Sequence, residues 1–206
     1  ASQGSASLRP VFNSSTFNGK GGIEFSSSEL DFANDTSLQI STGMVMFCVC
    51  KFDTWGASQE TILAKGPHGT DLNYLFGKHP TGPAMKFTYN DGAWNDVTDS
   101  AGYSGGSDYH IFRWDVRKTD GEVDFYSDGD LKSTVSDALT YSSSTTTGGR
   151  IGGNTSSGER LSGTICEIIL TADATDWALE IEGYLAHKWG ATGSLPTDHP
   201  YKKEHP

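Results

Sequence analysis

The chain has 206 residues, with 26 Asp and Glu against 15 Lys and Arg for a formal charge of −11. Such a surface repels phosphate backbones and anionic membranes, and no basic run offsets it, so nucleic acid and membrane surfaces are not expected partners. No window approaches the ~18 apolar residues of a membrane helix, and the length suits one all-β domain whose core needs no metal or disulfide staple.

Residues 1–15 are polar, carry no charged segment followed by an apolar one, and read as an N-terminal arm before a sandwich over 16–191. Met44 to Phe52 is a near-continuous apolar run, the pattern of a strand covered on both faces, so it is placed at the centre. Shorter strands are predicted over Thr61 to Lys65, Tyr74 to Gly77, Met85 to Tyr89, Ala93 to Thr98, Tyr109 to Val116, Glu122 to Tyr126, Arg150 to Gly152 and Thr164 to Leu170. Asn90-Asp91-Gly92 and Thr119-Asp120-Gly121 are hairpin signals, because Gly accepts the positive φ of tight turns between twisted strands. Tyr141 to Gly149 is a Ser/Thr-rich loop.

Many short strands without alternating helices argue for an all-β antiparallel sandwich. From Thr175 to Trp189 the period changes. Trp177, Ile181, Tyr184, Leu185 and Trp189 recur at helical spacing, with Gly190 as the stop, which predicts one amphipathic helix lying on the sandwich. Trp114, Trp177 and Trp189 are assigned to packing, and Gly183 to a close approach. Residues 192–206 contain Pro196, Pro200 and Pro206 and read as an extended tail.

Cys48, Cys50 and Cys166 fit neither a disulfide framework nor zinc spacing and are read as small reduced hydrophobes. Glu122-Val123-Asp124 approaches the paired carboxylates of a retaining glycosidase, but the position of the acid falls on Tyr126 or Ser127, which cannot protonate a glycosidic oxygen. The pair is therefore read as the solvated face of a strand. His187, His199 and His205 lack ligand spacing, and no serine elbow, zinc-protease or phosphate-loop motif occurs. No enzymatic activity is expected.

Sugar binding needs an aromatic face with polar side chains around it. Trp94, Asn95, Asp96 and Tyr103, with Trp55 on what reads as a neighbouring turn, supply both. Against this, Trp94, Asp96 and Thr98 share one face of a strand, where Trp94 could simply cover the sheet. Asp91, Asp96 and Asp99 are candidate ligands for a calcium ion, without a recognised loop spacing.

Thr16-Phe17-Asn18-Gly19 with Ile23-Glu24-Phe25, the Tyr109 to Trp114 and Val123 to Gly129 strands, and Arg150-Ile151-Gly152-Gly153 followed by Leu161 to Leu170 occur in the order of the laminin G-like branch of the concanavalin A-like superfamily. The chain resembles that branch over about residues 16 to 200. The resemblance implies a jelly-roll sandwich, carbohydrate binding and, in some members, one calcium ion. The close, Ile181 to Gly190 and Leu195 to Tyr201, resembles laminin G-like domains of bacteriophage virion proteins and bacterial surface proteins. It implies a capsid-decorating or tail-associated structural protein, homo-oligomeric or bound to other virion proteins, that contacts host or environmental glycans. The alternatives are a carbohydrate-binding module of an extracellular or bacterial surface protein and, less favoured, a degenerate β-glucanase.

Overall fold

The computed structural model describes all residues except 57, 68–70, 100, 102–107, 142–144, 155–158 and 173–174. In chain order the strands are β1 (Val11–Phe17), β2 (Lys20–Ser26), β3 (Leu30–Phe32), β4 (Met44–Phe52), β5 (Glu60–Lys65), β6 (Tyr74–Lys78), β7 (Met85–Asn90), β8 (Trp94–Thr98), β9 (His110–Arg117), β10 (Glu122–Ser127), β11 (Asp130–Ser136), β12 (Gly149–Ile151) and β13 (Ser162–Ala172). One helix, α1 (Ala178–Trp189), follows a 3-10 turn at Thr175–Trp177.

The strands form two sheets, one ordered β1-β2-β13-β4-β9-β10-β11 and the other β3-β12-β5-β6-β7-β8. Every ladder between these strands is antiparallel. The result is a jelly-roll β-sandwich of the concanavalin A-like class with one C-terminal helix, as the sequence predicts. Between the sheets lies a core of Met44, Met46, Cys48, Cys50 and Phe52 from β4, packed against Phe76, Phe87, Phe112, Trp114 and Phe125.

The alternate residues of β4, Val45, Phe47 and Val49, face the other way and are equally buried, under Ala178, Leu185, Ala186 and Trp189 of α1. This explains why β4 is apolar from Met44 to Cys50: it is covered by the opposite sheet on one face and by the helix on the other. Each such side chain removed from water contributes about 1.5–3 kcal/mol, which is what holds the helix on the sheet.

The buried face of α1 is Ala178, Glu182, Leu185, Ala186 and Trp189, a clean i, i+4, i+7, i+8, i+11 stripe, with Gly183 beside it. This corrects the expected face at both ends. Trp177 is 65% exposed and Tyr184 is also exposed. Trp177 belongs to the 3-10 turn, so helical spacing does not carry it onto the sheet, and the small side chains of Ala178 and Ala186 let the helix approach more closely than bulky ones would.

Gly190 stops the helix in the left-handed conformation (φ 68°), where Asn18 donates from its side-chain amide to the carbonyls of Trp189 and Gly190. At Gly183, a Cβ would lie 2.4 Å from Cβ of Tyr201.

Both termini are more ordered than predicted. Ser2 bridges Asp31, and the expected arm over 1–15 ends inside β1, whose Val11, Phe12 and Asn13 pair with β2. Residues 192–206 fold back in a series of turns instead of extending. Leu195 and His199 are buried, and His187 Nε2 donates to the carbonyls of Tyr201 and Glu204, each at 2.9 Å.

Cys48 and Cys50 are fully buried on the core face of β4, whereas Cys166, at the bulge of β13, is partly exposed. Burial pushes the Cys48 thiol up and raises that of Cys166 to about 11.

The Gly183–Tyr201 approach is testable by chemical denaturation. Gly183→Ala improves helix propensity by about 1 kcal/mol yet is expected to lower stability by roughly 1–3 kcal/mol through overpacking. In a Tyr201→Gly background the same substitution becomes neutral or stabilising, and equal destabilisation in both backgrounds refutes the contact.

Candidate carbohydrate-binding site

The hairpin β7–β8 forms one border of the six-stranded sheet. Its register sets Asn90 opposite Trp94, Thr88 opposite Asp96 and Lys86 opposite Thr98. Because facing residues share a side, these six project from the outer face, while Phe87 and Val97 enter the core. Gly92 makes the turn with φ 110°.

Trp94 is half-buried. It packs against the outer-face cluster of Ala64, Leu72 and Leu75 and keeps part of its indole at the surface, with Lys86 Nζ 5.7 Å from the ring centroid. Asp96 stands next to it, its Oδ1 accepting from Thr88 Oγ1 at 2.5 Å and from Lys86 Nζ at 3.3 Å, while the side chain remains 30% exposed. Burial pulls the Lys86 ammonium below the ordinary lysine range, and Asp96 works against that shift. The pair is thus an anchored carboxylate on a buried cation, beside an aromatic edge.

The turn is equally well tied. Asp91 Oδ1 accepts from Asn95 Nδ2 at 2.9 Å and from the Ala93 amide at 3.2 Å, and its second oxygen accepts from Thr140. The Thr140 bond, followed by those from Ala93 and Asn95, holds the Asp91 carboxyl below the ordinary aspartate value.

Of the residues singled out in the sequence, Trp94 and Asp96 come together here, Asn95 stands opposite the core residue Tyr89 and so projects from the other face of the strand, and Tyr103 lies outside the described residues. Trp55 does not join them. It packs edge-on against Phe52 at 4.8 Å and against Phe112 at 6.1 Å. Lys78, whose ammonium lies 5.7 Å from the Phe52 ring, pairs with Met85 at the other end of β7 from Asn90. The two tryptophans are therefore separated by roughly 17 Å of strand.

The proposed calcium ligands are dispersed as well. Asp91 caps the turn, Asp96 is bound by Lys86 and Thr88, and Asp99 is buried past the end of β8, where Oδ1 accepts from the Ala101 amide at 2.9 Å and from Ser133 Oγ at 2.5 Å. Among the described residues no three His, Cys, Asp or Glu side chains are grouped so as to hold a metal ion.

Lys86, Thr88 and Thr140 were missed. The first two follow from counting outward from the Asp91-Gly92 turn, which sets Thr88 opposite Asp96; Thr140 reaches the site from a distant loop and leaves no local signal.

The glycosidase-like carboxylates have a different fate. Glu122 and Asp124 both face Arg117, with Arg117 Nη2 2.5 Å from Glu122 Oε2 and Nη1 on Asp124. Asp124 also accepts from Thr134 Oγ1 at 2.6 Å. Asp124 is buried, not solvated as expected, and both carboxylates are tied up by one guanidinium. Elsewhere, a cavity of about 400 Å³ opens between the sheets, lined by Phe32, Leu38, Leu63, Ile151, Ile168 and Leu170 with Ala1, Ala33 and Tyr74. Its walls offer sugar hydroxyls almost nothing to bond to, since the Tyr74 hydroxyl donates to the Leu38 carbonyl. No helix among the described residues is long and apolar enough to cross a membrane.

No protein-family model and no curated protein matches the chain. Solved structures do. The carbohydrate-binding domain (CBM40) of the Ruminococcus gnavus IT-sialidase, bound to alpha2,3 sialyllactose, superposes with a TM-score of 0.55 at 16% identity, covering 75% of this chain and 92% of that one. The NanB sialidase of Streptococcus pneumoniae matches with a TM-score of 0.57 at 13% identity over 76% of this chain, which spans only 26% of that enzyme. The binding domain of Paraclostridial Mosquitocidal Protein 1 matches with a TM-score of 0.60 at 7% identity, covering 79% of this chain and 42% of that one. The likeness is one of fold.

The hydrogen bonds at the turn make a pH prediction. The Asp91 carboxylate contributes stability above the ordinary aspartate value, and that contribution is lost as pH falls through its lowered native value. Thr140→Val removes the largest cause, so the Asp91 midpoint, followed by NMR of the side-chain carboxyl, is expected to move up towards 3.8. An unchanged midpoint means that Thr140 does not bond Asp91.

Proposed function

We propose that this chain is a non-catalytic carbohydrate-binding domain that recognises glycans with the outer face of the β7–β8 hairpin. The observation that carries the reading is the half-buried indole of Trp94 beside Asp96 on the outer face of the hairpin. The exposed surface of the indole takes the apolar face of a pyranose, and the Asp96 carboxylate, held in place by Lys86 and Thr88, accepts from its hydroxyls. The sandwich it shares with the CBM40 domain and with the toxin's binding domain supports the reading, and makes α2,3- and α2,6-sialyllactose the first glycans to try. The setting that goes with it is a secreted or surface protein.

A structural role in a virion, on a capsid or tail and with other virion proteins or copies of itself as partners, is favoured by the closing motif alone. Most of that motif has work to do inside the fold: Glu182, Gly183, His187, Trp189, Gly190, Leu195, His199 and Tyr201 dock α1 and the C-terminal turns. The glycan reading therefore takes precedence.

The test is a glycan array followed by calorimetry on the glycans retained. Trp94→Ala is expected to weaken binding at least tenfold, about 1.4 kcal/mol. Asp96→Asn, which leaves the Ala64, Leu72 and Leu75 packing intact, should weaken it in the same direction; because it also leaves the buried Lys86 ammonium without its carboxylate and lowers the unfolding midpoint, binding is measured well below that midpoint. Full binding by both variants moves the site elsewhere, and no binding by the wild type removes the reading.

A further inference from the structure

The outer face of the seven-stranded sheet buries charge as well as apolar surface. Arg113 of β9 lies beneath α1 with its Nη1 2.8 Å from Glu182 Oε2 and its Nε 3.2 Å from Asp115 Oδ1. Its guanidinium carbon sits 3.4 Å from the centroid of the Tyr126 ring. From the C-terminal turns, His199 directs Nε2 at Glu182 Oε2, 3.5 Å away. Side-chain exposure is 5% for Arg113, 6% for Asp115, 0% for Glu182 and 2% for His199. Three separate pieces of the chain, β9, α1 and the turns after it, thus meet around one guanidinium.

The charges do not balance without a proton. Two carboxylates face one fixed cation, and burying net charge is costly unless it is neutralised. The surroundings do not supply the missing charge. On β10, Asp124 stands directly opposite Asp115 in the ladder and, with Glu122, is taken by Arg117. On β4, the residues opposite Asp115 and Arg113 are Val45 and Phe47. On α1 the next acid is Glu180, near Tyr201. On the C-terminal segment, Asp198 is exposed and Lys202 is turned to the carbonyls of Gly193 and Leu195.

We propose that Arg113, Asp115, Glu182 and His199 form a proton-dependent clamp. A proton held on the Asp115 carboxyl neutralises the cluster and keeps the segment 195–202 docked on α1 through the His199–Glu182 contact, and its loss leaves buried net negative charge and frees the segment.

The Asp115 carboxyl supports this independently of the charge count. Burial raises it to about 6, with Arg113 opposing the shift and Glu182 adding to it. A group raised above its ordinary value of 3.8 stabilises the closed state fully below that value, and the contribution is lost as pH rises through about 6. Release is therefore expected on the neutral-to-alkaline side. The segment pairs with no strand, so it can lift without breaking a ladder, the kind of local opening that costs less than global unfolding.

The experiment is a pH titration of the full chain from 4.5 to 8.5 by NMR, reading the Asp115 side-chain carboxyl, the amides of Tyr201 and Lys202, and the hydrogen-exchange protection factors of those amides. In the wild type the Asp115 carboxyl and the amides are expected to share one midpoint, with protection falling at least tenfold above it. Asp115→Asn, which balances Glu182 against Arg113 without a proton, should keep the segment protected to pH 8.5. His199→Gln should abolish the step. Constant protection across the range in the wild type, or the same step in either variant, overturns the clamp. The sheet amides serve as the control for folding in each case.

Discussion

Strand β4 has no face to give to water. Met44, Met46, Cys48, Cys50 and Phe52 fill the space between the sheets, while Val45, Phe47 and Val49 make the opposite face just as apolar. Two covers are therefore required, and the second is α1. A single helix lying on a sheet must come close to bury such a surface, hence Ala178, Gly183 and Ala186 on or beside its inner stripe. The room left by Gly183 is filled by Tyr201, and that contact draws the C-terminal turns onto the helix. The layout of the last 30 or so residues follows from one strand's second face.

The same requirement brings in the buried charges. Arg113 projects from the strand next to β4 on the side that the helix closes, so it needs an anion from the helix, and Glu182 supplies it at a position where an amphipathic pattern would have an apolar residue. A buried pair of this kind is weak evidence for stability, because desolvation offsets most of the attraction. Its value is that it fixes the rotation of α1 about its axis: a helix turned by one residue would strand both charges.

How much of this could be read from the sequence depended on how local the cause was. The continuous apolar run of β4, the hairpin turns at Asp91-Gly92 and Asp120-Gly121, and the helical period after Thr175 are properties of neighbouring residues, and they gave the sandwich and its helix. Strand β11 was missed because Asp130-Leu-Lys-Ser-Thr-Val-Ser136 lies at a sheet border, with too few buried side chains to show alternation. The helix face came out misplaced because Trp177 and Tyr184 were counted on the buried face and Glu182 was not. Only the position of Arg113, 69 residues earlier in the chain, reverses that reading. At the hairpin, Trp94 and Asp96 were legible as neighbours on one strand face. The separation of Trp55 from them was not, since it depends on which end of the sandwich each connection occupies.

The three cysteines have a consequence for handling and for the cell alike. Two are sealed as thiols in the core, two residues apart on one strand face, and the third has its reactive form suppressed. Nothing in the fold is held by a covalent cross-link, so a reducing and an oxidising medium should yield the same native protein. The unfolded chain has no such indifference. Once the core opens, Cys48, Cys50 and Cys166 become ordinary reactive thiols, and any bridge among them alters side chains that the folded protein packs as thiols. Oxidation is therefore a hazard of refolding and not of the folded state, and the steps that threaten this protein are those before its core closes.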